Sequence, residues 1–382
     1  MATPNQNLRI AFVGAGFMGQ SAHLRNYATL GGCEVVALAE MRDEMARRVA
    51  TRYGIPKVYK YAADLLAHEK FDAIVASQQF GRHGIVVGEL LKAGVPIFIE
   101  KPLAASLPVG EQIAAADAAA GGKVMVGYHK RSDPATIWAK AEIERLKQTL
   151  EIGKLQYIRV TIPSGDFVAN CTFDNLLPAP TEAAPGDVDP PDPGLSKENN
   201  EAYFYFVNFF IHQLNLIRHL LGEDYKLSYV DPAGVVIVGH GVTSGIPVTL
   251  ECIPYTTISD WHEVALVGFE SGYLELSLPA PLILNRAGEV KVVRDPKKGT
   301  APSPALPPYP INFQHPYEWL NTTNWSAGST YQPKMPFDHA MRVQAANFLR
   351  FVRGESGPTV GAAEALKDLR LGRDWLRMKN GV

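Results

Sequence analysis

The segment "LRIAFVGAGFMGQSAHLRNYATL" passes from an apolar stretch through three glycines into helix-forming residues. Gly14, Gly16 and Gly19 have the spacing G-x-G-x-x-G. The first glycine permits a tight turn, the second lets the backbone approach a pyrophosphate, and the third lets the following helix pack closely on the strand. Phe17 and Met18 fill the same turn and join the candidate cofactor contacts. The next apolar stretch, "CEVVALAE", ends in Glu40, 21 residues beyond Gly19, where a carboxylate can accept hydrogen bonds from both hydroxyls of an adenosine ribose. That carboxylate repels a 2'-phosphate and so favours NAD over NADP, while Arg42 offers a competing anion contact.

Two further groups could act on a ligand beside such a cofactor. "VPIFIEKPLA" places Glu100, Lys101 and Pro102 at the carboxyl end of an expected parallel strand, facing the crevice where a nicotinamide would lie. Lys101 is therefore a catalytic candidate. "YFVNFFIHQLNLIRHLLG", residues 205–222, carries Asn208, His212, Asn215 and His219 in steps of four, three and four, an arc of roughly 60 degrees on a helix. The rest of the circumference, from Phe206, Val207, Phe209 and Phe210 to Leu220 and Leu221, is apolar, which predicts a buried helix. A buried amide or imidazole without a partner costs about 1–3 kcal/mol, so the stripe needs dedicated partners or a hydroxyl-rich ligand. His219 is expected to sit by the helix C-terminal dipole before Gly222.

The elements that must position these groups follow from alternation. "KFDAIVASQQ", "RHGIVVGELLKAG" and "VPIFIEKPLA" continue a strand–helix rhythm, predicting a doubly wound parallel sheet over residues 1–127. Beyond it, over 128–382, "LQYIRVTI", "GVVIVGHGVT", "PVTLECIPY", "HEVALVGFE" and "GYLELSLP" predict an antiparallel sheet. Proline-rich stretches interrupt it at 178–200 and 297–325. The first suits either a lid or a flexible insertion. The second carries Tyr309, Phe313, His315, Tyr317, Trp319 and Trp325, a composition fit to wall a pocket or pack in an interface.

Composition narrows the partners. The chain has 382 residues, 46% of them hydrophobic, and a formal charge of -2 from 37 basic and 39 acidic side chains. Such a balance provides no footprint for nucleic acid or an anionic membrane and points to a small-molecule partner. Three scattered cysteines, Cys33, Cys171 and Cys252, give neither a disulfide framework nor metal-ligand spacing, and no metal is expected. The N-terminus lacks a basic segment followed by an apolar run, and no apolar stretch of about 18 residues occurs, so a cytoplasmic location is expected.

"GAGFMG", "ASQQFGRHGIVVGELLKAGVPIFIEKPLA" and "VMVGYHKRSDP" together resemble the glucose-fructose oxidoreductase, inositol dehydrogenase and rhizopine-catabolism superfamily, Gfo/Idh/MocA. The resemblance is close over the N-terminal domain and looser beyond. It implies a Rossmann domain followed by an α/β domain with a large, mostly antiparallel sheet. The C-terminal helices "HAMRVQAANFLRFVRGE" and "GAAEALKDLRLGRDWLRMK" should return to the Rossmann domain. It also implies a nicotinamide cofactor, a sugar or polyol substrate, and a homodimer or homotetramer.

The family's Glu-Lys-Pro motif falls on Glu100, Lys101 and Pro102, with Pro102 fixing the backbone, and its catalytic histidine falls on His212. Its segment near cofactor and substrate appears as Tyr128, His129, Lys130 and Arg131. His129, Lys130 and Arg131, three consecutive donors, could hold the pyrophosphate or an anionic sugar, or be solvated loop charges. The family's aspartates four residues before and three after the histidine are replaced by Asn208 and Asn215. His212 is thereby expected to be a weaker base.

In the oxidative direction a group must take the hydroxyl proton as hydride leaves the same carbon. Lys101 is the expected acid/base, with His212 binding or relaying. The leading expectation is an NAD-dependent oxidoreductase acting on a secondary hydroxyl of a sugar, polyol or sugar derivative. An NAD-dependent glycosidase acting by oxidation, elimination, hydration and reduction is the alternative, on an anionic glycoside such as a sulfoquinovoside, with Tyr128, Tyr203, Tyr205 or His212 as the second acid/base. A non-catalytic NAD-binding sugar sensor is the third.

Overall fold

In a computed structural model, residues 7–163, 167, 176–177, 187–254, 261–295 and 330–381 are described. The expected proline-rich loops lie outside them over 178–186 and 297–325, as do Cys171 and the six aromatic residues named above. The chain divides into two compact units. One comprises Met1–Tyr128, Thr172–Ile211 and Gln344–Arg373, and the other His129–Cys171, His212–Val343 and Asp374–Val382. The first break falls one residue after the expected boundary, but the first unit also takes in two later stretches.

The first unit holds a six-stranded parallel sheet in the order β3-β2-β1-β4-β5-β6. Its strands are β1 (Leu8–Val13), β2 (Cys33–Ala39), β3 (Lys57–Tyr59), β4 (Ala73–Ala76), β5 (Ile97–Ile99) and β6 (Val124–Val126). The central strands are covered on both faces, which is why they read as unbroken apolar runs. Ile10, Phe12, Leu38, Val75 and Phe98 form the core, joined by Phe348, whose ring meets Phe98 edge-on at 5.8 Å. Strand order reverses between β1 and β4, and ligands of such sheets bind outside the carboxyl ends at this switch point. Gly14, Glu40, Ser77 and Glu100 all follow carboxyl ends of these strands.

The second unit holds an eight-stranded sheet, order β14-β13-β12-β11-β7-β10-β9-β8. Its strands are β7 (Leu155–Pro163), β8 (Tyr225–Val230), β9 (Val236–Gly241), β10 (Pro247–Ile253), β11 (Glu263–Phe269), β12 (Gly272–Leu278), β13 (Glu289–Arg294) and β14 (Thr330–Tyr331). Among the described residues of this unit, only β7 and β10 pair in parallel. Alternate residues of β11 and β12, such as Ala265 and Val267 or Leu274 and Leu276, are fully buried, the period-two pattern of a sheet with one core face. The helix Pro134–Thr149 packs on β12 and β13.

A buried ionic cluster locks that helix to the sheet. Arg294 on β13 bonds Glu151 at 2.5 Å and also Glu142, while Arg145 bonds both carboxylates at 2.8 Å. The Glu142 hydrogen bond is the main cause that raises the Arg145 pKa above its ordinary value. Removing one member leaves the others charged and buried, which typically costs 3–5 kcal/mol. Arg294→Ala should therefore destabilise the second unit by about 3–5 kcal/mol in urea unfolding. Tryptophan fluorescence reports this unit selectively, because all five tryptophans fall within its segments. A shift below about 1 kcal/mol would show that the cluster contributes little.

Asp133 caps the same helix, accepting from Ala135 N–H at 2.8 Å and from Gly288 N–H at 3.0 Å. Burial outweighs these donors and pushes its carboxyl up to about 6. A carboxyl raised on folding adds stability that is complete below its unfolded value, about 3.9, and is lost as pH rises through the folded value. Relative to Asp133→Asn, the natural protein should lose on the order of 2–3 kcal/mol of stability between pH 4 and 7. A difference that is flat or rises with pH over this window would contradict the assignment.

Candidate active site

Each glycine of the first turn has a visible cause. Gly14 adopts φ +95°, and a Cβ there would lie 2.4 Å from both the Ser77 carbonyl oxygen and Gln78 Nε2. A Cβ on Gly19 would meet the Gly14 carbonyl oxygen at 2.9 Å, so the helical turns at Gly19–Leu24 can seat only on glycine. At Gly16 the nearest group to a Cβ is Arg42 Nη2 at 3.6 Å, leaving the backbone open to approach. Phe17 and Met18 are partly exposed beside it, and the Phe17 carbonyl accepts from Ser21 Oγ at 2.5 Å. Such a turn fits a dinucleotide pyrophosphate.

Glu40 is buried and accepts from Ala15 N–H at 2.8 Å, tying the end of β2 to the glycine turn. Arg42 donates to both its oxygens, Nε at 2.8 Å and Nη2 at 3.0 Å. Burial alone would raise the Glu40 pKa, but the Arg42 side chain and the Ala15 and Arg42 N–H groups outweigh it and hold the carboxyl below its ordinary value. The expected competing anion contact at Arg42 is thus engaged by Glu40 itself.

The Glu100–Lys101–Pro102 motif follows β5, and the Lys101–Pro102 peptide is cis. Glu100 is buried with Oε1 2.5 Å from His23 Nε2, and its other oxygen accepts the Lys101 backbone N–H at 3.2 Å. Burial pushes this carboxyl up, but the His23 hydrogen bond, with the charges of His23 and Lys101, carries it below its ordinary value. Glu100 thus orients Lys101 through the backbone. The Lys101 ammonium donates to the Asn208 carbonyl oxygen at 2.7 Å. His23 is a site residue that sequence reasoning missed. Its one legible signal was its place one turn beyond Gly19.

The helix bearing the polar stripe spans Lys197–Leu221, and the division between units falls within it, after Ile211. Its second half is buried as expected, but its first half is not. Phe204, Tyr205 and Phe209 are 44%, 51% and 37% exposed, whereas Phe206, Val207 and Phe210 carry the packing. The expectation of a helix buried all round is corrected: only one face of this half is covered. Tyr203 is buried with its hydroxyl on the Leu369 carbonyl at 3.0 Å, and burial raises its pKa, so it is a structural group and not a second acid/base.

In the second unit the His212 ring stands edge-on to His129, with centroids 4.4 Å apart. Asn215 accepts from Arg131 Nε at 2.6 Å. Lys130 pairs with the buried Glu263, which also accepts from Gln213 at 2.8 Å and Trp261 at 3.1 Å. His129, Lys130 and Arg131 are all buried, so solvated loop charges are ruled out, and the Lys130 charge is matched within the protein. Tyr128, the last residue of its segment in the first unit, is also buried. His219 precedes Gly222, whose φ of +84° ends the helix. Burial first, then the charges of Arg131 and Lys140, lower its pKa well below the ordinary value, against the pull of the helix dipole.

Asp189, from the stretch expected to be a lid or insertion, accepts from Gly84 N–H at 2.8 Å and Ile85 N–H at 3.0 Å, capping the helix after β4. Among the described residues, no group of three or more His, Cys, Asp or Glu could hold a metal ion, and no helix is long and apolar enough to cross a membrane.

Residues 8–128 match the GFO_IDH_MocA family, described as an oxidoreductase family with an NAD-binding Rossmann fold. The inositol 2-dehydrogenase of Acidothermus cellulolyticus is 33% identical over 144 residues, 37% of this chain. The match spans only 42% of that relative's own length. Over nearly the whole chain the fold is similar to that of a putative NADPH-dependent oxidoreductase from Desulfitobacterium hafniense, with TM-score 0.69, 14% identity, and 99% and 96% of the two chains covered. It is also similar to that of an oxidoreductase from Agrobacterium radiobacter solved with NAD+, L-tartaric acid and magnesium, with TM-score 0.63, 16% identity, and 99% and 98% covered. Residues 8–128 thus carry the NAD-binding Rossmann fold of the GFO_IDH_MocA oxidoreductase family, and over nearly its full length the chain shares the fold of the two solved oxidoreductases.

Proposed function

We propose that the protein is an NAD-dependent dehydrogenase acting on a secondary hydroxyl of a sugar, polyol or sugar derivative. The observation that carries this reading is the joining of the glycine turn, Glu40 and Lys101 at the carboxyl edge of one parallel sheet, with the Lys101 ammonium turned to the Asn208 carbonyl. The likeness to an inositol 2-dehydrogenase supports a polyol-like substrate.

The backbone of the glycine turn would hold the pyrophosphate, and Glu40 the adenosine ribose. Bound NAD supplies the hydride acceptor. Lys101 does the proton work. An ammonium has three N–H donors, so the group that meets the Asn208 carbonyl can also donate to a substrate hydroxyl. As the neutral amine, it takes the hydroxyl proton while the carbonyl forms, and in reduction it returns that proton. Asn208 holds the ammonium at the helix, Glu100 fixes the backbone from which Lys101 departs, and His212 binds or relays. NAD over NADP follows from the Glu40 carboxylate.

Lys101→Ala should lower turnover by about 10²–10⁴-fold or more while leaving NAD affinity largely intact, measured as NADH absorbance with a sugar and polyol panel and as NAD titration calorimetry. Near-normal turnover in that variant would remove Lys101 from the chemistry. Glu40→Gln should weaken NAD binding about tenfold or more, because hydrogen bonds to a charged group are lost. With Arg42 released from its ion pair, NADP binding should strengthen. An unchanged NAD-to-NADP ratio would place cofactor choice elsewhere.

A further inference from the structure

We infer that His83 is a positioning residue for Lys101: its ring holds the far end of the backbone turn from which Lys101 departs, as His23 holds the near end through Glu100. The inference deepens the dehydrogenase reading by naming what fixes its acid/base, and it rests on that reading only where turnover is measured. Residues 101–103 follow β5 as a bend outside any strand or helix, so no ladder of backbone hydrogen bonds sets their course. Side chains must do so. At the near end Glu100 accepts from the Lys101 N–H at 3.2 Å and meets His23 at 2.5 Å, and the His23 ring is itself seated edge-on against Phe98 of β5 at 5.1 Å. At the far end Leu103 is buried, and its carbonyl oxygen lies 3.1 Å from Nδ1 of His83.

The His83 ring is built in for this contact. It is 1% exposed and opens the helix His83–Leu90, whose first turn Asp189 caps through the Gly84 and Ile85 N–H groups. A carbonyl oxygen only accepts, so Nδ1 must carry a proton. Burial lowers the pKa of the ring below its ordinary value, against the pull of the Leu103 carbonyl, the Glu100 and Asp189 charges and, least, the Gln78 carbonyl. It thereby favours the form with a single N–H. The geometry gives that N–H to Leu103, because Nε2 makes no hydrogen bond among the described residues. His23 belongs to the helical turns after β1 and His83 to the helix after β4, and β1 and β4 are the adjacent strands between which the sheet order reverses. The two elements that bound the ligand crevice thus each send one imidazole to the end of β5. With Glu100 and Leu103 both held, Lys101 keeps only the swing of its own side chain. Such precision matters, since a displacement of about 1 Å can cost about a hundredfold in rate.

The test compares His83→Phe, which keeps the ring volume but has no donor, with His83→Asn, whose side-chain amide can donate to the Leu103 carbonyl in place of Nδ1. With NAD and the sugar and polyol panel, His83→Phe should lower kcat by about 10–100-fold while KM and NAD affinity stay unchanged, and His83→Asn should recover most of that loss. Normal kcat in His83→Phe, an Asn variant no better than the Phe variant, or a loss of NAD affinity that matches the loss of turnover overturns the assignment. Two readouts need no turnover. In nitrogen NMR of the NAD-loaded natural protein, Nδ1 of His83 should bear a proton, and a bare Nδ1 overturns the inference whether or not the variants fold. In crystals of His83→Phe the Lys101 ammonium should be withdrawn from the Asn208 carbonyl, 2.7 Å away in the natural protein; an unmoved Lys101 overturns it as well. If the natural protein forms no NADH with any member of the panel, while both of these readouts come out as expected, His83 keeps its role and the dehydrogenase reading falls.

Discussion

The carboxylate of Glu100 is buried in the first unit, and a charge so placed is tolerated only where donors are fixed around it. Its partners are His23, from the helical turns that begin at Gly19, and the backbone N–H of Lys101. The glycine turn and the end of β5 are thereby held by one interaction. Gly19 must be glycine for the helix to approach Gly14, the approach places His23, and His23 holds the carboxylate that sets where Lys101 begins. Lys101 in turn reaches the Asn208 carbonyl. A local requirement of close backbone packing is transmitted through side chains to the proposed acid/base.

The second unit uses charge differently. Arg294, Glu142, Glu151 and Arg145 pair with one another, as do Lys130 and Glu263. In a sequence, "HKR" looks like a donor cluster awaiting an anion. Its Lys130 instead faces a carboxylate 133 residues away. Pairing at that distance in the chain leaves no periodic trace, so charge alone could not separate a ligand-binding group from a structural one. The same holds for Arg131 and Asn215, where an asparagine of the stripe supplies the acceptor for the arginine.

Strands were legible in proportion to their regularity. The runs of β1, β2, β4 and β5 are apolar because both faces are covered, and β11 and β12 alternate because one face is. Three short or polar strands, "YKLSYV", "EVKVVR" and "TY", gave no comparable signal. They exist as strands because neighbours in the sheet supply their hydrogen bonds. The parallel pairing of β7 with β10 within an otherwise antiparallel sheet was likewise not readable, since pairing direction depends on the path of the chain between them.

The sequence by itself determined the nucleotide-binding turn, the acid at the end of β2, the Glu-Lys-Pro motif and the spacing of the polar stripe, because each depends on residues close in the chain and on backbone geometry that only certain residue types allow. Tertiary structure alone decided which of those groups are engaged and by what. Arg42 is held by Glu40, Lys130 by Glu263, burial lowers the His219 pKa, and half of the stripe's helix is open on an aromatic face. These outcomes depend on burial and on partners far away in sequence, and both are properties of the folded chain that no local pattern encodes.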